Sequence, residues 1–98
     1  MSRVRLESYH FYILLALADE ALTGADIRQK IIGDSMGVYA RDSSLYDALT
    51  NLAEAGLIER GQDKRYRLTE RGRRRLEDTA RTLRRAVELS QQRLHWRP

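Results

Sequence analysis

The stretch from Asp42 to Arg67, DSSLYDALTNLAEAGLIERGQDKRYR, admits few folds. Asp42, Ser43 and Ser44 are all good N-capping types, and Ser44 with Asp47 has the spacing of a capping box. Leu45, Ala48, Leu49, Leu52 and Ala53 then fall at i, i+3, i+4, i+7 and i+8, the buried stripe of one helix. Gly56 supplies the left-handed conformation that stops it. Leu57 and Ile58 begin a strand, and Gly61, Gln62 and Asp63 form a turn. Tyr66 and Leu68 then alternate inward with Arg65 and Arg67 outward. The helix keeps Ser43, Tyr46, Asp47, Thr50, Asn51 and Glu54 on its outer face, all short or hydrogen-bonding rather than long and apolar.

A short polar helix face followed by a basic hairpin is the outline of a winged helix-turn-helix, a nucleic-acid reader. Upstream, Thr23 opens a helix, with Asp26 completing a second capping-box pattern. Ile27, Ile31 and Ile32 form its apolar side, Arg28, Gln29 and Lys30 stay wet, and Gly33 and Asp34 end it. Val38, Tyr39 and Ala40 are expected to pair with the wing as a short strand. Arg3 and Arg5 lie in a stretch without periodicity, which is either a solvated tail or an arm near phosphates.

Two segments have more apolar surface than one small core can cover. From Glu7 to Asp19 the pattern is helical but apolar almost all round, from Tyr9 to Ala18. At the other end, Thr69 caps a helix running to about Leu94. Its residues Leu76, Ala80, Leu83, Val87, Ser90 and Leu94 have coiled-coil spacing. One symmetric dimer would cover both, the plainer alternative being that the first helix is the central helix of a compact monomer. The expected interface is Phe11, Leu14 and Leu15 from the first helix with Leu76, Ala80, Leu83, Val87 and Leu94 from the last. The expected fold is mainly α with a small β-hairpin wing. Residues 1–68 form a winged helix-turn-helix and residues 69–98 a C-terminal dimerisation helix, the two making one compact unit.

Composition narrows the function. A chain of 98 residues with 33% charged and 42% hydrophobic side chains makes one soluble globular domain. It has no cysteine, which removes disulfides and thiolate chemistry and fits a reducing cytoplasm. No apolar run approaches the roughly 20 residues of a membrane span, and the run from Tyr9 to Ala18 reads as structure rather than a signal peptide. The net charge of +4 is unevenly placed. Residues 1–68 hold nine Lys+Arg against ten Asp+Glu, a balance of −1, and residues 69–98 hold nine against four, +5. A polyanion-binding chain of this kind draws its electrostatic affinity from the wing and last helix rather than the reading helix.

At Leu45-Tyr46 with Ala48-Leu49 behind, at Gly56-Leu57-Ile58 and at Tyr66-Arg67-Leu68-Thr69-Glu70-Arg71-Gly72, the chain resembles the PadR family of bacterial transcriptional regulators. The resemblance runs from about Tyr9 to Leu83, and the Tyr-x-Leu-Thr-x-x-Gly exit from the wing is its most specific part. It implies a winged-helix dimer whose C-terminal helix packs across the partner, and a repressor of nearby genes, often released by a small molecule. The single short terminal helix looks like the smaller subgroup. The family usually has Gly-Tyr after the first helix, where this chain has Gly24-Ala25. It usually has Gly-Thr-Leu-Tyr at the reading helix, where this chain has Ser43-Ser44-Leu45-Tyr46. Some small members bind planar drugs through a tryptophan midway along the terminal helix. Leu83 aligns there and Trp96 falls more than a heptad later, so that site is not carried over.

The candidate DNA-binding residues are therefore Arg41, Ser43, Ser44, Tyr46, Thr50, Asn51, Lys64 and Arg65. Ser43, Ser44 and Tyr46 offer hydroxyls to phosphates, with simple capping the plainer role for the two serines and partial burial for the tyrosine. Thr50 and Asn51 reach for bases, Asn pairing best with adenine. Asp47 and Glu54 repel phosphate and are expected at the edge of the footprint. Lys64 and Arg65 at the wing tip, with Arg41 at the helix start, supply charge. Most arginines of the last helix read as a solvated face, Arg71 to Arg74 beside the wing excepted. His10 and His95 stand alone without metal-ligand spacing, and there is no phosphate-binding glycine loop, so neither enzyme chemistry, a cofactor nor a metal is expected. The expected partners are a second copy, an inverted-repeat duplex operator and a planar aromatic or other small-molecule effector. Trp96 is either a loose anchor or a stacking surface for that effector. The rival reading is a winged-helix protein-interaction module that binds no DNA.

Overall fold

The computed structural model describes residues 10–34 and 42–95. Helix α1 covers residues 10–16. Helix α2, Gly24–Arg28, continues as a wider π-type turn, Gln29–Asp34. Helix α3 is Asp42–Glu54, strands β1 and β2 are Ile58–Arg60 and Tyr66–Leu68, and helix α4 is Glu70–His95. The expected tail arginines, Tyr9, the strand at Val38 to Ala40, Arg41 and Trp96 lie outside the described residues.

The core is aliphatic and drawn from every helix. Ile13, Leu14, Ala16 and Leu17 of the α1 segment meet Leu22, Ile27 and Ile31 around α2. Leu45, Ala48, Leu49 and Leu52 of α3 complete it with Leu57, Ile58 and Leu76. Each buried aliphatic side chain contributes about 1.5–3 kcal/mol, so this one cluster decides the arrangement of the helices. No polar or charged side chain among the described residues is buried with it.

Helix α1 ends earlier than its apolar pattern suggests. The amide of Leu17 is shared between the carbonyls of Ile13 and Leu14, both at 3.2 Å, and Ala18 N–H bonds Leu15 O at 3.1 Å, a tightened last turn. The freed end is held by Lys30, whose ammonium donates to Ala16 O at 2.9 Å, Asp19 Oδ1 at 3.2 Å and Glu20 Oε2 at 3.1 Å. Lys30 was expected to stay wet. It instead satisfies an orphan helix carbonyl, as a basic residue at a helix C-terminus does.

Helix α2 starts as expected: Thr23 Oγ1 accepts the Asp26 amide at 3.2 Å. Helix α3 differs at its start. It begins at Asp42, so Ser44 and Asp47 lie within its first two turns and do not cap it. Its end follows the Schellman pattern. Gly56 has φ +79°, and the amides of Gly56 and Leu57 bond Ala53 O and Leu52 O, both at 3.0 Å. Leu52 and Leu57 are both buried, giving the apolar contact that accompanies this stop. Ala53, expected in the buried stripe, is exposed.

The hairpin pairs Ile58 with Leu68, Glu59 with Arg67 and Arg60 with Tyr66, antiparallel. The other edge of β2 is taken by Leu22, which exchanges two backbone hydrogen bonds with Tyr66 at 3.0 and 2.7 Å. The chain just before α2 thus supplies the third strand position and ties the wing to the helix-turn-helix.

Thr69 joins the wing to α4 through two contacts. Its hydroxyl donates to Gly56 O at 2.6 Å and accepts the Gly72 amide at 3.0 Å, so one side chain caps α4 and fastens it to the end of α3.

Candidate nucleic-acid interface

Helix α3 presents Tyr46, Asp47, Thr50, Asn51 and Glu54 as exposed side chains, as expected from the sequence, and Ser44 is exposed with them. The side-chain positions of Ser43 and Arg41 fall outside the described residues. Tyr46 is 47% exposed. Its ring lies so close to Gly24 that a Cβ there would meet Tyr46 Cε1 at 3.0 Å. The tyrosine is thus braced against the start of α2 on one side while the rest of it stays open to solvent. A braced aromatic side chain loses little entropy when it contacts a partner.

The wing tip is built by Asp63. The Lys64 amide bonds Gly61 O at 3.0 Å, and the Gly61 amide bonds Arg65 O at 2.9 Å, a type of turn that needs a left-handed residue at its last position. Lys64 occupies it, with φ +64°. A non-glycine residue pays roughly 1–2 kcal/mol for that conformation. Asp63 Oδ1 accepts the Arg65 amide at 3.1 Å and its Oδ2 pairs with Arg67 at 3.1 Å. The Arg65 amide, opposed by desolvation and aided by the Arg67 guanidinium, holds the Asp63 carboxyl below its ordinary value of 3.8. Sequence reading missed both the strained lysine and the part played by Asp63.

The four basic residues of β1, the turn and β2 are thereby sorted. Arg67 is bound to Asp63, and its fold-back leaves it half-buried rather than fully outward. Arg60 lies over the Tyr66 ring at 5.9 Å from its centroid. Lys64 and Arg65 are exposed and make no ion pair among the described residues. The structure therefore leaves the two expected wing cations available for a polyanion.

Helix α4 carries its charge differently. Arg74, Arg81 and Arg85 pair along the helix with Glu70, Asp78 and Glu88 at 3.5, 3.1 and 4.0 Å. Such exposed pairs are worth little in stability but they partly neutralise the face. Away from the wing, Lys30 is a further cation with a perturbed proton equilibrium. Burial lowers its pKa, hydrogen bonds to Glu20 and Asp19 raise it, and the net is raised.

The expected interface residues divide. Leu14 and Leu76 are already covered by their own chain, so their area serves the protomer core. Phe11 packs against that core at its margin. Leu15 is exposed on α1, and Ala80 is exposed while its neighbour Thr79 turns partly inward. Leu83, Val87 and Leu94 are 47%, 54% and 63% exposed, and Leu89, absent from the expected seam, is exposed as well. Where α1, the end of α3 and α4 converge, His10, Phe11, Leu14, Leu52, Leu57, Arg75 and Thr79 line an open cleft of about 150 Å³. Among the described residues no group of three or more metal-ligating side chains is found, and no helix is long and apolar enough to cross a membrane.

Comparison with known proteins agrees with this architecture. Two solved structures share the fold. A PadR family transcription regulator from hypervirulent Clostridium difficile superposes with a TM-score of 0.74 at 21% identity, over 88% of this chain and 97% of that one. A transcriptional regulator from Clostridium thermocellum superposes with a TM-score of 0.73 at 20% identity, over 94% of this chain and 95% of that one. No curated protein sequence matches the chain significantly. The model of the transcriptional regulator PadR-like family matches residues 13–78, from the core of α1 through the first turns of α4. By that match over most of its length, the chain belongs to the transcriptional regulator PadR-like family.

Proposed function

We infer that this chain acts as a homodimeric, sequence-specific DNA-binding regulator, with residues 1–68 reading DNA and residues 69–98 joining two copies into one unit. The dimer rests chiefly on one observation. From Ala80 to Leu94, α4 is exposed along its whole length, with Leu83, Val87 and Leu94 projecting from it. An isolated helical stretch of that length is marginal in water, so it needs cover. A second copy offers what is required: Leu15 and Phe11 beside the cleft, and an identical α4 seam. A two-fold arrangement uses each surface once per protomer. The two α3 helices then address an inverted repeat, with the wing tips on the flanking phosphates.

Family membership and the two wing cations, which make no ion pair among the described residues, support the DNA-reading half of this account. Repression of nearby genes, acting in the cytoplasm, is the regulatory outcome we attach to it. Release by a planar aromatic or other small molecule would act through the packing between α1 and α4. Affinity selection from randomised duplexes tests the proposal. An enriched inverted repeat bound by two copies supports it, and no enrichment leaves the protein-interaction reading in place.

A further inference from the structure

The outer face of α3 has a carboxylate at its centre and no cation anywhere along it. Taking 100° per residue, the buried set Leu45, Ala48, Leu49 and Leu52 defines the inward direction. Asp47 and Thr50 then lie about 30° to either side of the line opposite the core, and Tyr46 and Asn51 about 70° to either side. Any groove that admits Thr50 and Asn51 must therefore admit Asp47, which cannot stay at the edge. Glu54 lies closer still to that line, about 10° from it, but about 10 Å further along the axis, next to the helix stop at Gly56. Asp47 is exposed and makes no ion pair among the described residues. No lysine or arginine occurs between Ser44 and Glu54 to neutralise it.

We propose that Asp47 is a specificity-determining residue that reads a cytosine in each half-site. The proposal rests on the DNA-reading function above. A carboxylate can only accept hydrogen bonds. Among major-groove edges, guanine presents acceptors and thymine an acceptor and a methyl group, while the cytosine N4 amino group donates. Adenine also has a donor, its N6 amino group, but sets the N7 acceptor beside it, which repels a carboxylate. Against guanine or thymine the carboxylate is desolvated without a partner, so it is a rejecting element as well as a reading one. Asn51 follows one turn later and about 40° round the helix, so the cytosine lies within a few base pairs of the adenine that Asn51 reads. The same charge repels phosphate, which predicts opposite effects on specific and non-specific binding.

The test is affinity selection from randomised duplexes with the full chain, wild type against Asp47→Ala, with circular dichroism to confirm folding. The wild type should return a cytosine at a symmetry-related pair of positions. In Asp47→Ala the preference there should fall about tenfold or more, with preferences elsewhere kept and non-specific affinity raised. Asp47→Asn should move the preference at that pair towards adenine. If the wild type enriches a site and Asp47→Ala returns the same preferences at every position, this inference is overturned and the DNA-reading function stands. If the wild type enriches nothing, both fail.

Discussion

The carbonyl oxygen of Leu57 occupies the space where a side chain on Gly72 would begin. Helix α4 therefore leaves the wing pressed directly onto the backbone that precedes β1, with Thr69 hydrogen-bonded at both ends of the contact. This gives the Tyr-x-Leu-Thr-x-x-Gly segment a physical basis: the threonine caps and ties, and the glycine permits the approach. Gly72→Ala should destabilise the fold by about 1–3 kcal/mol, the range for overpacking a rigid site. Gly61→Ala is the control, because its nearest neighbours are side-chain ends of Arg67 and Asp63 rather than backbone. It should cost less than Gly72→Ala. Urea midpoints of the two variants decide the matter, and equal losses would contradict the reading.

Lys64 combines a left-handed backbone with an ammonium that makes no ion pair among the described residues. Lys64→Gly relieves the first and removes the second, so it separates stability from binding. Folding stability should hold or rise by up to about 1 kcal/mol, while DNA affinity falls. Removing Lys64 and Arg65 together should weaken binding to all sequences alike and flatten the salt slope by roughly one to two units. Thermal melts and binding isotherms on the same preparations read both effects.

Asp63 makes the wing sensitive to acid. Its folded-state pKa lies below the unfolded value near 3.8, so its contribution is present above that pH and is lost as pH falls through the folded pKa. The stability gap between wild type and Asp63→Asn should be constant near neutrality and close below about pH 4. Denaturation at a series of pH values measures it. A gap unchanged down to the acid end would rule out the carboxylate as the cause.

The seam of α4 gives the test of assembly. Leu83→Asp places a charge at a position exposed in the single chain, so the protomer fold should survive. Sedimentation should then find monomers for the variant and dimers for the wild type, whereas a dimeric variant would exclude this seam.

What was legible in the sequence is what depends on near neighbours. The α3 stripe, the Gly56 stop, the Thr23 and Thr69 caps and the position of the hairpin all follow from interactions within a few residues. What was not legible depends on distant segments meeting. Lys30 reaches the end of α1 across 14 positions. Leu22 and Tyr66 pair although no strand pattern surrounds Leu22. Gly24 is open to Tyr46 only once α2 and α3 are packed. Ala53 follows the apolar spacing yet lies on the flank, because the core-facing arc is narrower than the stripe. The wing cations Lys64 and Arg65 were identified from type and place, but their availability depended on Arg60 and Arg67 being engaged elsewhere. The central place proposed for Asp47 follows only from a projection down the helix axis.

Binding of the full chain to the DNA upstream of its own gene, followed across a salt series, tests the central claim most directly. The account predicts saturable binding of two copies to a defined site, tight at low salt, with log affinity falling linearly as log salt rises. No binding at low salt would contradict it and leave the fold as a surface for another protein.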